Sequence, residues 1–186
     1  MRAAVALAAL AVVSVARADA LDELLRGFAT HRTGHAAFTE VHEFALLKRP
    51  LRSSGELRYR SPDYLEKRTL QPRPETLVLK DGTLVAERGR HRRVLELAAH
   101  PELVPYIESI RATLAGDRAA LERYFVVEVS GDASAWTLRL RPRPGPIGRS
   151  VQEVRLSGAA AAIREVDIRL KDGDRSRLEI GPDLPP

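Results

Sequence analysis

The tightest constraint on this chain is a rhythm of short strand-forming segments broken by turn chemistry. The segments are Ala37–Leu47, Gly55–Arg60, Tyr64–Leu70, Thr76–Leu79, Thr83–Glu87 and Arg92–Leu97. After a helical interval come Tyr124–Val129, Trp136–Arg141, Val151–Leu156, Ile163–Leu170 and Arg177–Ile180. Between them stand Lys48-Arg49-Pro50, Ser61-Pro62-Asp63, Lys80-Asp81-Gly82, Ser130-Gly131-Asp132, Pro142–Gly148, Ser157-Gly158 and Lys171–Asp174, all rich in residues that reverse a chain. Asp81-Gly82 is a particularly strong hairpin signal. Segments this short, joined by hairpin-length turns, predict one antiparallel sheet. Regular strand–helix alternation is absent, which excludes a doubly wound parallel sheet. A sheet this large curls.

Two stretches switch to helical spacing. Asp19 and Asp22 place carboxylates where the first N–H groups of a helix need acceptors, and Leu21, Leu24, Leu25 and Phe28 form one apolar stripe. Gly34 lies past the expected end of that helix. In mid-chain, Pro101 suits a first helical position, and Leu103, Ile107, Ile110 and Leu114 fall on one face. Gly116 stops this second helix and Asp117 caps a short third one through Arg123. The expected fold is mainly β (α+β): a curved antiparallel open half-barrel with amphipathic helices covering the concave face.

The first eighteen residues read as a leader. Arg2 supplies the positive start, Ala3–Val15 is uncharged and apolar, and Ala16-Arg17-Ala18 carries the small-x-small pattern of a cleavage site. The apolar run is shorter than the ~20 residues that span a membrane. The chain has no cysteine, which rules out a lipid-anchored start, a disulfide framework and a thiol nucleophile. The expected organisation is a signal peptide over 1–18, a single domain over 19–181 and a frayed tail over 182–186, in a periplasmic monomer. This bears on charge. The 186 residues carry a formal +5, which invites a nucleic-acid reading, but removing Arg2 and Arg17 leaves 28 basic against 25 acidic residues. Aromatic residues that could stack on bases make up only 5% of the chain. No nucleic acid is expected as partner.

Chemistry is thin along the rest of the chain. His31 and His35 straddle Gly34 with no third ligand at metal-site spacing, and His42, His91 and His100 stand among charges or at a helix start. Hydrolase, metalloprotease, phosphate-loop and dinucleotide motifs are missing. Glu40, Glu43, Glu66, Glu153 and Glu165 alternate with basic residues, as cross-strand pairs on a wet face do. Arg88, Arg90, Arg92 and Arg93 with His91 form the densest basic cluster, a phosphate-binding candidate or a charged hairpin edge. No enzyme activity, metal or cofactor is expected. The strands do offer apolar faces: Trp136, Leu138 and Leu140 on one, Val166, Ile168 and Leu170 on another. Such faces either pack as a core or enclose a greasy cavity.

The order of features resembles the periplasmic outer-membrane lipoprotein carrier family (LolA-like), as a divergent branch. The resemblance rests on the leader, the amphipathic helix, Phe38-Thr39-Glu40 in the first strand, and Gly55-Glu56-Leu57 with Pro62 shortly after. Pro74 through Leu77-Val78 to Asp81-Gly82 and the helices after Leu97 complete it. It covers most of Leu21–Ile180. It implies a half-barrel whose apolar cavity holds the acyl chains of a lipoprotein or lipid, a helical lid, an inner-membrane exporter and an outer-membrane acceptor. The cavity and lid candidates are then Phe38, Phe44, Leu57, Leu65, Leu77, Leu79, Leu103, Ile107, Ile110, Leu114, Trp136 and Leu138. The family's lid latch is a basic residue directly before the strand-end proline. Here that place is Ser61, and Arg60, one position earlier, is the candidate. Arg58 and Lys67 stand where the lipoprotein carriers have aromatic residues. The competing expectation is an envelope interaction module of the same fold, with a filled core, binding a protein partner through its basic edge.

Overall fold

A computed structural model of the chain describes residues 20–46 and 49–185. The leader expected over 1–18 lies outside them. Eleven strands form one antiparallel sheet: β1 (Thr33–Glu43), β2 (Leu51–Arg60), β3 (Tyr64–Gln71), β4 (Glu75–Lys80), β5 (Thr83–Arg88), β6 (His91–Glu96), β7 (Phe125–Asp132), β8 (Ala135–Pro142), β9 (Val151–Ala159), β10 (Ala162–Leu170) and β11 (Arg175–Asp183). Their spatial order is β6-β5-β4-β3-β2-β1-β11-β10-β9-β8-β7. Each half is a ladder of sequence neighbours, and the first and last strands join the halves at the middle. The edges β6 and β7 do not pair, so the curved sheet stays open.

Local chemistry explains the turns. Asp81 and Gly82 both take positive φ (50° and 73°), the two-residue hairpin geometry that the Asp-Gly pair favours, and Lys80 pairs with Thr83 across it. The segment between the edges holds the helices. Helix α1 spans 20–29, α2 is Val104–Ala115 and α3 is Arg118–Tyr124. Helix α2 begins three residues later than Pro101 suggests, with Pro105 in its first turn, because Pro101–Leu103 forms a separate turn. Gly116 closes it in the left-handed region (φ 67°), and a Cβ there would sit 2.6 Å from the Leu25 carbonyl oxygen, so this glycine also lets α2 meet α1. Asp117 caps α3 through the Ala120 N–H at 2.9 Å.

Two boundaries move for register reasons. Strand β1 starts at Thr33, because Thr33 to Ala36 pair with Arg60 to Leu57, and it ends at Glu43, leaving Phe44 outside the ladder. The tail is held further than expected. Strand β11 runs to Asp183, Ala36 pairs with Asp183, and the Leu184 N–H donates to the His35 carbonyl at 2.7 Å.

The main core lies over the β7–β11 half. Leu21, Leu25 and Phe28 of α1 bury against Trp136, Leu138, Leu140, Val154 and Leu156, with Leu121 and Phe125 beside them. Phe28 meets Trp136 edge to face at 5.6 Å, and the indole N–H donates to the Ala160 carbonyl at 2.8 Å. Each such fully buried apolar side chain contributes about 1.5–3 kcal/mol. Arg118 ties α3 to α1 through Asp22 at 2.8 Å. The other half of the sheet is not filled in this way, and that asymmetry creates the site.

Candidate functional site

A cavity of about 610 Å³ lies between the concave face and α2. Alternation along the strands sends one set of side chains inward, and register aligns them in rows. Tyr59, Leu65, Leu79 and Leu84 make one row across β2–β5, and Leu57, Lys67 and Leu77 make the next. Val166, Ile168, Leu178 and Ile180 supply the wall from β10 and β11, and Leu103, Ile107, Ile110 and Leu114 of α2 form the roof. A smaller buried cluster of Leu79, Leu97 and Val104 anchors the roof, with Leu65, Leu84, Leu103 and Ile107 against it.

Eight of the sequence-derived candidates therefore line this cavity: Leu57, Leu65, Leu77, Leu79, Leu103, Ile107, Ile110 and Leu114. Four do not. Trp136 and Leu138 belong to the packed core, because α1 lies on their part of the sheet and fills the space above them. Phe38 has the inward parity but is buried (2% exposed) in the same core. Phe44, beyond the end of β1, stacks on His42 at 5.2 Å.

The polar groups inside the cavity are the feature that sequence reasoning missed. Glu40 faces inward rather than sitting on a wet face. It accepts from Lys67 at 2.5 Å and Ser53 at 3.1 Å through one oxygen, and from Ser176 at 2.8 Å through the other. Burial pushes the Glu40 carboxyl up, but the charge and hydrogen bond of Lys67, helped by Ser176 and His42, outweigh it and hold the group below its ordinary value. The Lys67 ammonium also lies 5.1 Å from the centre of the Phe38 ring. Lys67 shares parity with Leu65, so its inward aim was readable from the strand alone. Its partner Glu40, 27 residues away, required the register. Tyr59 is 9% exposed, and its hydroxyl is buried without a hydrogen-bond partner among the described residues.

Arg60, the expected latch, does not face the cavity. Arg60 is exposed and lies over the ring of Tyr64 at 5.4 Å, on the outward side of β2. On α2, Arg111 is the residue that reaches the β2–β3 turn. It binds both oxygens of Glu108 at 2.8 Å, reaches Asp117 at 3.4 Å, and donates to the Pro62 carbonyl of the β2–β3 turn at 3.5 Å. Its charge partners raise the Arg111 pKa further. The basic cluster of β5–β6 is partly neutralised within its own hairpins, Arg88 by Glu75 at 2.7 Å and Arg92 by Glu87 at 3.1 Å. Among the described residues no group of three His, Asp or Glu side chains could hold a metal, and no helix is long and apolar enough to cross a membrane.

Known proteins share this architecture. A family model described as outer membrane lipoprotein carrier protein LolA-like matches residues 13–182. A LolA superfamily protein from Nitrosomonas europaea is similar in structure with a TM-score of 0.50 at 10% identity, over 91% of this chain and 94% of that one. A DUF1329 family protein from Desulfovibrio piger gives a TM-score of 0.50 at 8% identity, over 87% and 88%. No curated protein matches the chain in sequence. At such identities the two structures speak to the fold, whereas the family model spans nearly the whole sequence. Open sheet, lid helix and matched sequence lead to one assignment: this chain belongs to the outer membrane lipoprotein carrier protein LolA-like family.

Proposed function

We propose that this protein is a non-enzymatic periplasmic carrier that takes acyl chains of a lipoprotein or lipid into the cavity under α2 and shuttles them between inner and outer membrane. The observation that supports it is the cavity itself: about 610 Å³, roofed by Leu103, Ile107, Ile110 and Leu114 and floored by Leu57, Leu65, Leu77 and Leu79. A volume of this order suits a small or chain-like ligand. Each CH₂ that moves from water to such a lining gains roughly 0.8 kcal/mol. Cargo must also leave. The cavity-facing residues of the roof are half-buried and Arg111 adds one bridge to the β2–β3 turn, so these contacts part at modest cost while Val104 and Ala112 keep α2 packed. A transient delivering exporter and an outer-membrane acceptor complete the reading. The test is native mass spectrometry of gently purified protein together with a fluorescent fatty-acid titration. Saturable one-to-one binding is expected. A protein that comes through purification empty and ignores the fatty acid overturns the carrier role.

A further inference from the structure

We propose that the cavity reads the polar end of its ligand as well as its chain: Lys67, paired with Glu40, and His42, two residues beyond Glu40 on the same face of β1, form a donor site that takes a hydrogen-bond-accepting head, a carboxylate or an acyl carbonyl, and disfavours a cationic one. The inference rests on the carrier reading and specifies the ligand's class. It starts from an anomaly. A lysine and a glutamate stand among leucines on the wall of an apolar cavity, where an ion pair adds little stability over apolar residues of the same size.

Counting donors and acceptors shows what the group can still do. Glu40 is close to saturated, because Lys67 and both serine hydroxyls, Ser53 and Ser176, already donate to it. Lys67 carries three N–H groups and has one hydrogen-bond partner among the described residues. His42 lines the same cavity and its ring makes no hydrogen bond among those residues, only the stack on Phe44. The surplus is therefore of donors.

Position sets the sign. Both residues line the cavity, but the Lys67 side chain is 27% exposed against 12% for Glu40, whose two oxygens are already covered by donors, so the ammonium is the more accessible member of the pair. An entering acceptor meets N–H groups first. An entering cation meets the ammonium and finds the carboxylate behind it occupied.

The test is displacement of a fluorescent fatty acid from the cavity by three amphiphiles of equal chain length: palmitate, methyl palmitate and hexadecyltrimethylammonium, all below their micelle concentrations. The natural chain is expected to bind palmitate at least about tenfold more tightly than the cationic amphiphile. The double substitution Glu40→Gln with Lys67→Met keeps the wall neutral and is expected to bring the two within about threefold. His42→Phe, which keeps the stack on Phe44, is expected to weaken palmitate severalfold and leave the cation unchanged, and it decides the matter alone should the double variant not fold. A preference that methyl palmitate shares assigns the carbonyl as the group read, and one confined to palmitate assigns the carboxylate; both uphold the site. Equal binding of palmitate and the cationic amphiphile by the natural chain, or a preference unchanged in the variants, overturns it. Failure of the fluorescent fatty acid to bind at all overturns the carrier reading itself, a separate outcome.

Discussion

Ile107→Glu separates a lid from a mere packing helix. Ile107 is half-buried on α2, facing the cavity between Leu103 and Ile110, and it rests on the cluster of Leu79, Leu97 and Val104. Full burial of such a side chain is worth about 1.5–3 kcal/mol, so losing half of it lowers stability by about 1 kcal/mol. In the empty protein the new carboxylate turns toward the open cavity and keeps its water. With an acyl chain in place that water is expelled, and an unpaired polar group costs about 1–3 kcal/mol, more when charged. Together with the lost apolar contact, binding weakens by about 3 kcal/mol, which is more than a hundredfold in the dissociation constant. Ile107→Ala removes only the contact and is expected to weaken binding by about fivefold. The control is Val126→Glu on the exposed edge strand β7, where neither stability nor binding changes. Fluorescent fatty-acid titration gives the affinities, and a thermal melt confirms folding. A folded Ile107→Glu protein that binds acyl chains as tightly as its parent refutes the placement of the chain under α2.

Two further predictions concern the charges that hold the sheet and the lid. Asp167 is buried and Glu40 largely so, which by itself raises a carboxyl, yet Lys67 for Glu40 and Arg175 (2.8 Å) for Asp167 hold them below their ordinary values of 4.5 and 3.8. Their folded-state values are depressed, so the stability they contribute is fully present above the ordinary carboxylate range and is lost as pH falls through it and below. Urea unfolding at about pH 7 and about pH 3 is expected to show that loss, and Asp167→Asn to flatten it; an unflattened curve rejects the assignment. Arg111→Ala leaves Glu108, 8% exposed, without its partner and removes the bridge to Pro62. We expect a loss of about 3 kcal/mol, the lower end of what breaking a buried ion pair costs. Restoring stability by the added change Glu108→Gln supports this origin, and no restoration excludes it.

Much of the architecture was legible because it is written in local chemistry. Asp81-Gly82 can only turn tightly, Gly116 can only end a helix in the left-handed region, and strand segments betray themselves by period two. The site was legible by half. Leu57, Leu65, Leu77 and Leu79 carry the same alternation as Trp136 and Leu138, and nothing in that alternation says which half of the sheet α1 covers. Phe38 illustrates the point: inward by parity, yet buried in the core. Glu40 was read as a wet-face acid because its neighbours are charged, and only the pairing of β1 with β2, and of β2 with β3, brings Lys67 to it. Arg111 gave no signal at all, since an exposed helical arginine and a lid bridge look alike until the β2–β3 turn is placed beside it.

The meeting of β1 with β11 at the centre of the sheet fixes when the cavity can exist. Every other strand pair joins neighbours in the chain, whereas Glu40 faces Leu178 across almost the full length of the described residues. Local hairpins close early and distant pairings close late, since the entropy of a long loop must be overcome before any contact forms. The two half-sheets are thus expected to assemble independently, with neither able to hold a ligand, until the last strand arrives and seats Leu178 and Ile180 beside the first. Pulse-labelled hydrogen exchange is expected to protect the amides shared by β1 and β11 after those of the hairpins; simultaneous protection excludes this order. Under the carrier reading proposed above, binding competence then waits for the last strand, and a chain truncated before Arg175 is expected to lose the wall that Leu178 and Ile180 supply.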